Sequence, residues 1–225
     1  NFMKKRNEEV IKKAEEENQS APVILYEEGR SLTDIYAVRS LGIDPATGNE
    51  LYLTKQGLTT FTYNSFDQVA VGNTRPDLEG IIGTSLTYKN LTFSANFRYK
   101  IGGQIYNSTL VDRVENADLY GNVDRRIYDD RWRKEGDQSL YKSIFDKTTT
   151  RPTSRFVQDE NVFTCESVSL GYDIKHKGIL RTLGMERLRV NAYMNDIMRL
   201  STVRQERGIN YPFANRIAFS LSATF

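Results

Sequence analysis

The sequence predicts an all-β chain, the C-terminal strands of a large antiparallel transmembrane β-barrel with long extracellular loops. Three observations predict it. The ending, Arg216 to Phe225, alternates strictly: Ile217, Phe219, Leu221, Ala223 and Phe225 on one side, Arg216, Ala218, Ser220, Ser222 and Thr224 on the other. A period of two sends successive side chains to opposite faces, and an apolar face opposite a polar one suits a strand between lipid and a watery lumen. The same alternation recurs upstream, and the connections between the alternating segments are short and long in turn, as on the two sides of a membrane barrel.

The first such segment is 80–88, with Ile82, Thr84, Leu86 and Tyr88 opposite Gly83, Ser85 and Thr87; Ile81 breaks the pattern. The second, 91–101, sets Leu91, Phe93, Ala95, Phe97, Tyr99 and Ile101 against Thr92, Ser94, Asn96, Arg98 and Lys100. Only Lys89 and Asn90 lie between them, a two-residue hairpin loop that pairs Tyr88 with Leu91 on the apolar side. A third segment, 166–174, carries Val168, Leu170, Tyr172 and Ile174 on one face; Phe163 and Cys165 upstream stand in the opposite phase, which predicts a bulge near Glu166. The fourth, 187–195, opposes Leu188, Val190, Ala192 and Met194 to Arg187, Arg189, Asn191, Tyr193 and Asn195. Arginines facing inward beside asparagines are costly in an apolar core and natural in a water-filled lumen. With 216–225 these are the last five barrel strands, and 102–161 and 196–215 are read as extracellular loops, with Phe225 at the periplasmic rim. Five strands cannot close a barrel with a lumen, which takes about eight. The sheet is expected to continue in other sequence.

Residues 1–77 read differently. Asn1 to Asn18 is a charged helix whose sparse apolar positions (Phe2, Met3, Val10, Ile11, Ala14) predict a solvated surface helix. The rest, with turn signals at Asp44-Pro45, Thr47-Gly48 and Gln56-Gly57, is expected to be an irregular extracellular loop region containing strand-like pieces at Ile35 to Val38, Leu51 to Leu53 and Phe61 to Tyr63.

Composition excludes other classes. Hydrophobic content is 39% over 225 residues, and no stretch approaches the run of about 18 apolar residues that a membrane helix needs. A net charge of +2 from 31 basic and 29 acidic residues points to no nucleic-acid partner. Cys165 and His176 are the only residues of their types, so a catalytic triad or a His-rich metal site lacks material, and neither an enzyme nor a cofactor is expected. The chain opens on charge (Lys4, Lys5, Arg6, Glu8, Glu9) without an export signal. A membrane barrel of this kind is exported, so the chain is expected to be the C-terminal piece of a longer protein.

Several segments in order carry a resemblance: Glu27-Glu28-Gly29, Ser40 to Gly48, Val71 to Pro76, Asp130-Arg131-Trp132-Arg133-Lys134-Glu135-Gly136-Asp137, Thr153 to Val157, Ser169-Leu170-Gly171-Tyr172, Asn195-Asp196 and the final Phe225. Together they resemble the C-terminal part of the SusC/RagA-type TonB-dependent outer-membrane transporters of Bacteroidota. Glu135 stands where members of that family often carry Pro. The resemblance implies a barrel of about 22 strands, in the range of plugged outer-membrane transporters. It also implies a plug domain absent from this chain, TonB contacted through an N-terminal region outside it, a SusD-like surface lipoprotein as lid, and import of oligosaccharides or peptides across the outer membrane.

The site residues follow from position and chemistry. Tyr128, Trp132 and Arg133 in the longest loop and Tyr211 in the last loop are candidate contacts for cargo or partner; Trp132 can stack on a sugar ring or anchor its own loop. Phe219, Leu221 and Phe225 are the candidate insertion signal of the terminal strand. Asp44, Asn49 and Glu50 offer oxygens but lack the spacing of a calcium loop, and a turn begun by Asp-Pro and ended by Gly is the expectation. Asp129-Asp130 and Asp159-Glu160 are adjacent carboxylates without the separation that glycoside hydrolysis requires. The rival reading is a soluble β-sandwich that binds carbohydrate, which would bury its apolar faces.

Overall fold

The computed structural model describes residues 2–118, 120–121, 123–182, 184–203 and 216–225. The chain divides into two compact units, Asn1–Arg75 with Gly103–Asp159 and Pro76–Gly102 with Glu160–Phe225.

The second unit holds a five-stranded sheet in the order β5-β6-β7-β8-β9: Leu78–Tyr88, Leu91–Tyr106, Val157–Ile174, Arg187–Ser201 and Ile217–Thr224, of which only 103–106 and 157–159 are counted in the first unit. β5 and β6 pair antiparallel across Lys89-Asn90, with Tyr88 opposite Leu91 and Lys89 at φ 54°. β8 pairs antiparallel with β7 on one side and with β9 on the other, where Arg187 faces Thr224 and Met194 faces Ile217. β5 and β9 are the outer strands of this sheet.

Three of these strands run further than alternation indicates. β6 was expected over 91–101, where the alternation is clean. Gly102 takes φ +85°, and a Cβ there would lie 2.1 Å from the Asp77 carboxylate, so glycine lets the strand bend past Asp77 and continue. β7 begins at Val157 rather than 166, since its register shifts between Cys165 and Ser167. Glu166 and Ser167 both reach the same polar face, bonding Arg98 and Asn96. Upstream of that shift the parity reverses, and Phe163 stacks on Phe97 with ring centroids 5.6 Å apart. β8 passes Asn195 and ends at Ser201, with Asp196 at φ 51° at the shift. The expected loops 102–161 and 196–215 therefore give residues at their ends to β6, β7 and β8.

The first unit corrects the expectation of an irregular region. It holds the helix α1 (Phe2–Glu16) and a four-stranded sheet in the order β3-β2-β1-β4: Thr59–Thr60, Glu50–Leu53, Asp34–Ile43 and Gln68–Asn73. β1 buries Ile35, Tyr36, Ala37 and Val38 in succession, so a period-two reading sees only a short apolar run. β4 went unread, and the third piece lies at Thr59–Thr60 rather than Phe61 to Tyr63. α1 is not wholly solvated. Ile11 is buried with Leu25 and Tyr36, and Asn7 both donates to the Tyr26 carbonyl (2.8 Å) and accepts from its N–H (3.1 Å). The other cluster of this unit is Leu110, Val111, Val114, Ile127, Tyr141 and Phe156, all from the segment expected as a loop.

Candidate functional site

The sheet of the second unit has two chemically different faces. Leu91, Phe93, Phe97, Leu188, Val190, Phe219 and Leu221 share one: the partners Leu86–Phe93, Tyr172–Val190, Val190–Leu221 and Ala192–Phe219 keep parity within β5–β6 and within β7–β9, and the side-chain bonds Ser94–Ser169 and Asn96–Ser167 put the opposite, polar sides of β6 and β7 together. Much of this face is uncovered: Phe219 is 74% exposed and Leu221 68%. Burying such surface is the main driving force of folding in water, so a sheet leaving it bare is built for an apolar surrounding. This is opposite to the β-sandwich reading, in which these residues fill a core.

The other face carries Arg98, Arg189, Asn191 and Ser220 within a lateral hydrogen-bond network. Ser94 Oγ lies 2.6 Å from Ser169 Oγ, and Asn96 Nδ2 donates to Ser167 Oγ at 3.0 Å. Asn191 Nδ2 donates to Ser220 Oγ at 3.3 Å, while Arg189 Nε donates to Asn191 Oδ1 at 3.0 Å. Arg98 lies between Glu166 and Glu79, Lys100 also meets Glu79 (3.6 Å), and Arg187 pairs with Asp173 (3.0 Å). Short polar side chains and cross-strand ion pairs make a wettable wall.

In the first unit Trp132 is committed to packing. Its indole lies on Gly48, where a Cβ would fall 2.5 Å from Cδ2, and Gly48 sits at φ +73°, a conformation glycine adopts without strain. Trp132 Nε1 donates to the Pro45 carbonyl at 2.9 Å, and so does the Gly136 N–H at 2.9 Å. The Ser40–Gly48 and Asp130–Asp137 segments thus meet at one clasp. Asp44 is used by its own turn: Oδ2 accepts from the Thr47 hydroxyl (2.7 Å) and Oδ1 from the Ala46 N–H (3.3 Å). The Thr47 bond, with the backbone N–H groups, holds the carboxyl below its ordinary range against the small effect of burial.

Tyr128 is 70% exposed, with the Arg133 guanidinium 4.0 Å above its ring and donating to its carbonyl. These two face solvent together, whereas Trp132 does not stand free beside them. Tyr211 lies outside the described residues. Phe219 and Leu221 point from the apolar face of β9, and Phe225 follows it, 78% exposed.

A buried ion cluster that the sequence reading did not single out lies behind the clasp. Arg155 Nη2 meets Glu50 Oε2 at 2.9 Å and Glu115 Oε1 at 2.7 Å, and Nη1 donates to the Leu140 carbonyl at 2.5 Å. Burial disfavours the charged guanidinium, but Glu50 and Glu115 outweigh it and raise the Arg155 pKa. Arg131, also buried, donates to the carbonyls of Val114, Glu115 (2.9 Å) and Lys142 (3.4 Å), and its burial lowers its pKa. Beside it opens a cavity of about 410 Å³ lined by Glu115, Asn116, Asp118 and Tyr120 on one side and Ile144, Asp146 and Lys147 on the other. A local signal for the cluster is confined to Arg155 lying within the Thr153–Val157 segment; its partners lie far away in sequence. Among the described residues no group of three or more His, Cys, Asp or Glu is placed to hold a metal ion.

No protein-family model matches the chain. Among curated proteins it is similar to a TonB-dependent receptor, P39, of Formosa agariphila, with 23% identity over 268 aligned residues. That alignment covers 96% of this chain, which spans only 25% of the relative. Among solved structures its fold is similar to the RagAB peptide importer in the open-open state, with a TM-score of 0.68 and 16% identity, over 85% of this chain and 22% of that one. The RagAB peptide transporter aligns with a TM-score of 0.60 and 16% identity, over 76% of this chain and 19% of that one. Likeness in sequence thus falls on a TonB-dependent receptor over nearly the whole chain, and likeness in fold on part of the RagAB structures.

Proposed function

We propose that this chain forms part of the wall and mouth of an energy-coupled, TonB-dependent outer-membrane importer of oligosaccharides or peptides. The observation that carries this reading is the five-stranded sheet with a largely uncovered apolar face and an opposite hydrogen-bonded polar face, kept from β5 to β9 around the register shift in β7. In this role the chain does no bond chemistry. The apolar face meets lipid, the polar face borders the passage, and the first unit stands at the extracellular mouth, where a SusD-like surface lipoprotein closes over cargo. Energy reaches the barrel from TonB through a plug supplied by other sequence. In hydrocarbon every backbone donor and acceptor needs a partner, so the outer edges of β5 and β9 pair with further strands of the same barrel. Phe219, Leu221 and the terminal Phe225 serve as the insertion signal, with Phe225 on the periplasmic side. Tyr128 and Arg133 are the loop residues left free to touch cargo or lid.

Uptake by cells tests this. A strain lacking the gene should lose import of one class of fluorescent oligosaccharide or peptide, and the wild-type gene should restore it only where TonB is functional. Undiminished import of both classes without the gene would overturn the proposal.

A further inference from the structure

The cavity beside Arg131 belongs to the first unit and plays no part in the wall. Its volume, about 410 Å³, falls within the range of small-molecule sites, roughly 300–1,000 Å³. It is lined by residues from three segments of the first unit, 115–118 with Tyr120, Arg131, and residues between Ile144 and Thr149, which rest on the core beneath. That core is fixed by Val111 and Val114, both fully buried, and by the Glu115 carboxylate clamped on Arg155.

Its polar groups divide sharply. The acidic ones are engaged. Glu115 is held by Arg155, and Asp146 accepts from the Thr148 N–H (2.9 Å) and hydroxyl (2.6 Å) while facing Lys142 Nζ at 3.3 Å. Asp118 Oδ1 takes the Tyr120 N–H at 3.0 Å. Among the donors, the Arg131 Nη groups are spent on the Val114, Glu115 and Lys142 carbonyls, but others are unused among the described residues. Arg131 is 7% exposed and its Nε is buried with no partner among the described residues. Asn116 Oδ1 accepts from the Thr150 N–H at 3.0 Å, and its Nδ2 makes no hydrogen bond among the described residues. Lys147 and Tyr120 line the same cavity, Tyr120 being 96% exposed. A buried polar group without a partner is unfavourable, and an acceptor entering from solvent relieves it. Ile144 lines the wall as an apolar contact.

We infer that this cavity is a binding site for a carboxylate-bearing small ligand, its acid group received by Lys147, Asn116 Nδ2 and Arg131 Nε and its body lying against Ile144 and Tyr120. A carboxylate suits the site because it brings several acceptor positions and a negative charge to a cluster of unused donors. The acid can come from a peptide terminus or from an acidic sugar. The inference stands apart from the importer reading, since binding by the purified protein is read without transport.

The test is calorimetric titration of the intact protein in detergent with two matched pairs: N-acetyl-leucine against N-acetyl-leucinamide, and glucuronate against its methyl ester. At least one acid should bind about tenfold tighter than its neutral partner, as expected for charge-assisted hydrogen bonds. The acid that binds more tightly identifies the source. Lys147→Gln should weaken that acid about fivefold or more, and Tyr120→Ala should weaken it too; both side chains are exposed, so folding is not at risk. Lys134→Gln, exposed and away from the cavity, should bind as the wild type does. Equal binding of acid and neutral partner, no binding of either acid, or an unchanged affinity in Lys147→Gln each overturns the inference.

Discussion

The two units solve opposite problems with the same alphabet of residues. The first hides its apolar groups: both clusters of buried hydrophobic residues among those described lie in it, supported by the Arg155–Glu50–Glu115 ion cluster and the Trp132–Gly48 clasp. The second displays them. Ile82, Leu86, Ile217, Phe219 and Leu221 are all exposed, and its buried side chains, such as Ala95, Cys165 and Leu188, are few and scattered. A unit with its own core holds its shape in water; a two-faced sheet depends on what surrounds it. The difference shows where a substitution is felt locally and where it is felt through the membrane.

The largest effect should come from the buried ions. Arg155→Ala leaves Glu50 and Glu115 buried without their partner, and breaking such a pair costs about 3–5 kcal/mol. Limited proteolysis should then cut within 103–159 while heat-modifiable gel mobility, the mark of an intact barrel, persists. Loss of both together would erase the contrast between the units. Next is the wall: Leu221→Arg on the apolar face should destabilise by about 2–4 kcal/mol if near the midplane, against little for Ser220→Arg on the polar face. Urea titration in vesicles reads the pair, and equal losses would contradict the assignment of faces. Gly48→Ala should cost about 1–3 kcal/mol, since the new Cβ meets the Trp132 indole at a positive φ. Trp132 is the only tryptophan of the chain, so a shift of its emission toward the red would report the opened clasp wherever that fluorescence can be isolated.

The smallest effect concerns acid. For the Asp146 carboxyl, burial pushes upward, but the Thr148 hydrogen bonds and Lys142 prevail and hold its pKa below the ordinary value. A depressed carboxylate contributes stability that is complete above its unfolded pKa of about 3.9 and is lost as pH falls through the folded value. Amide protection around 142–148, taken relative to the intrinsic exchange rate at each pH, should therefore fall only below about pH 4. Protection already lost at neutral pH would remove Asp146 from the account.

Where parity governs, the sequence was readable. In 91–101, 187–195 and 216–225 the face of each residue follows from whether its number is odd or even, and no long-range information enters. One break in parity was readable too: the reversed phase of Phe163 and Cys165 predicts the bulge near Glu166, and the register shifts between Cys165 and Ser167. Reading stopped where strands outrun their alternation, as where β6 passes Ile101 at Gly102. It stopped also where both faces are buried, as at Tyr36, Ala37 and Val38. The ion cluster and the clasp were not legible for another reason: Glu50, Glu115 and Arg155, like Gly48 and Trp132, are brought together by the fold across long stretches of chain, and nothing local marks one as the other's partner. Of the candidate site residues, Tyr128 and Arg133 stand together in solvent, and Trp132 is spent on packing.

The central claim, a sheet with lipid on one face and water on the other, is tested most directly by single cysteines placed along 187–194 in a Cys165→Ala background, in native outer membranes. The account predicts that a membrane-impermeant, water-soluble maleimide admitted to the lumen modifies positions 187, 189, 191 and 193, while 188, 190, 192 and 194 react only with a lipid-soluble reagent. Uniform labelling along the strand, or the reverse alternation, would contradict it.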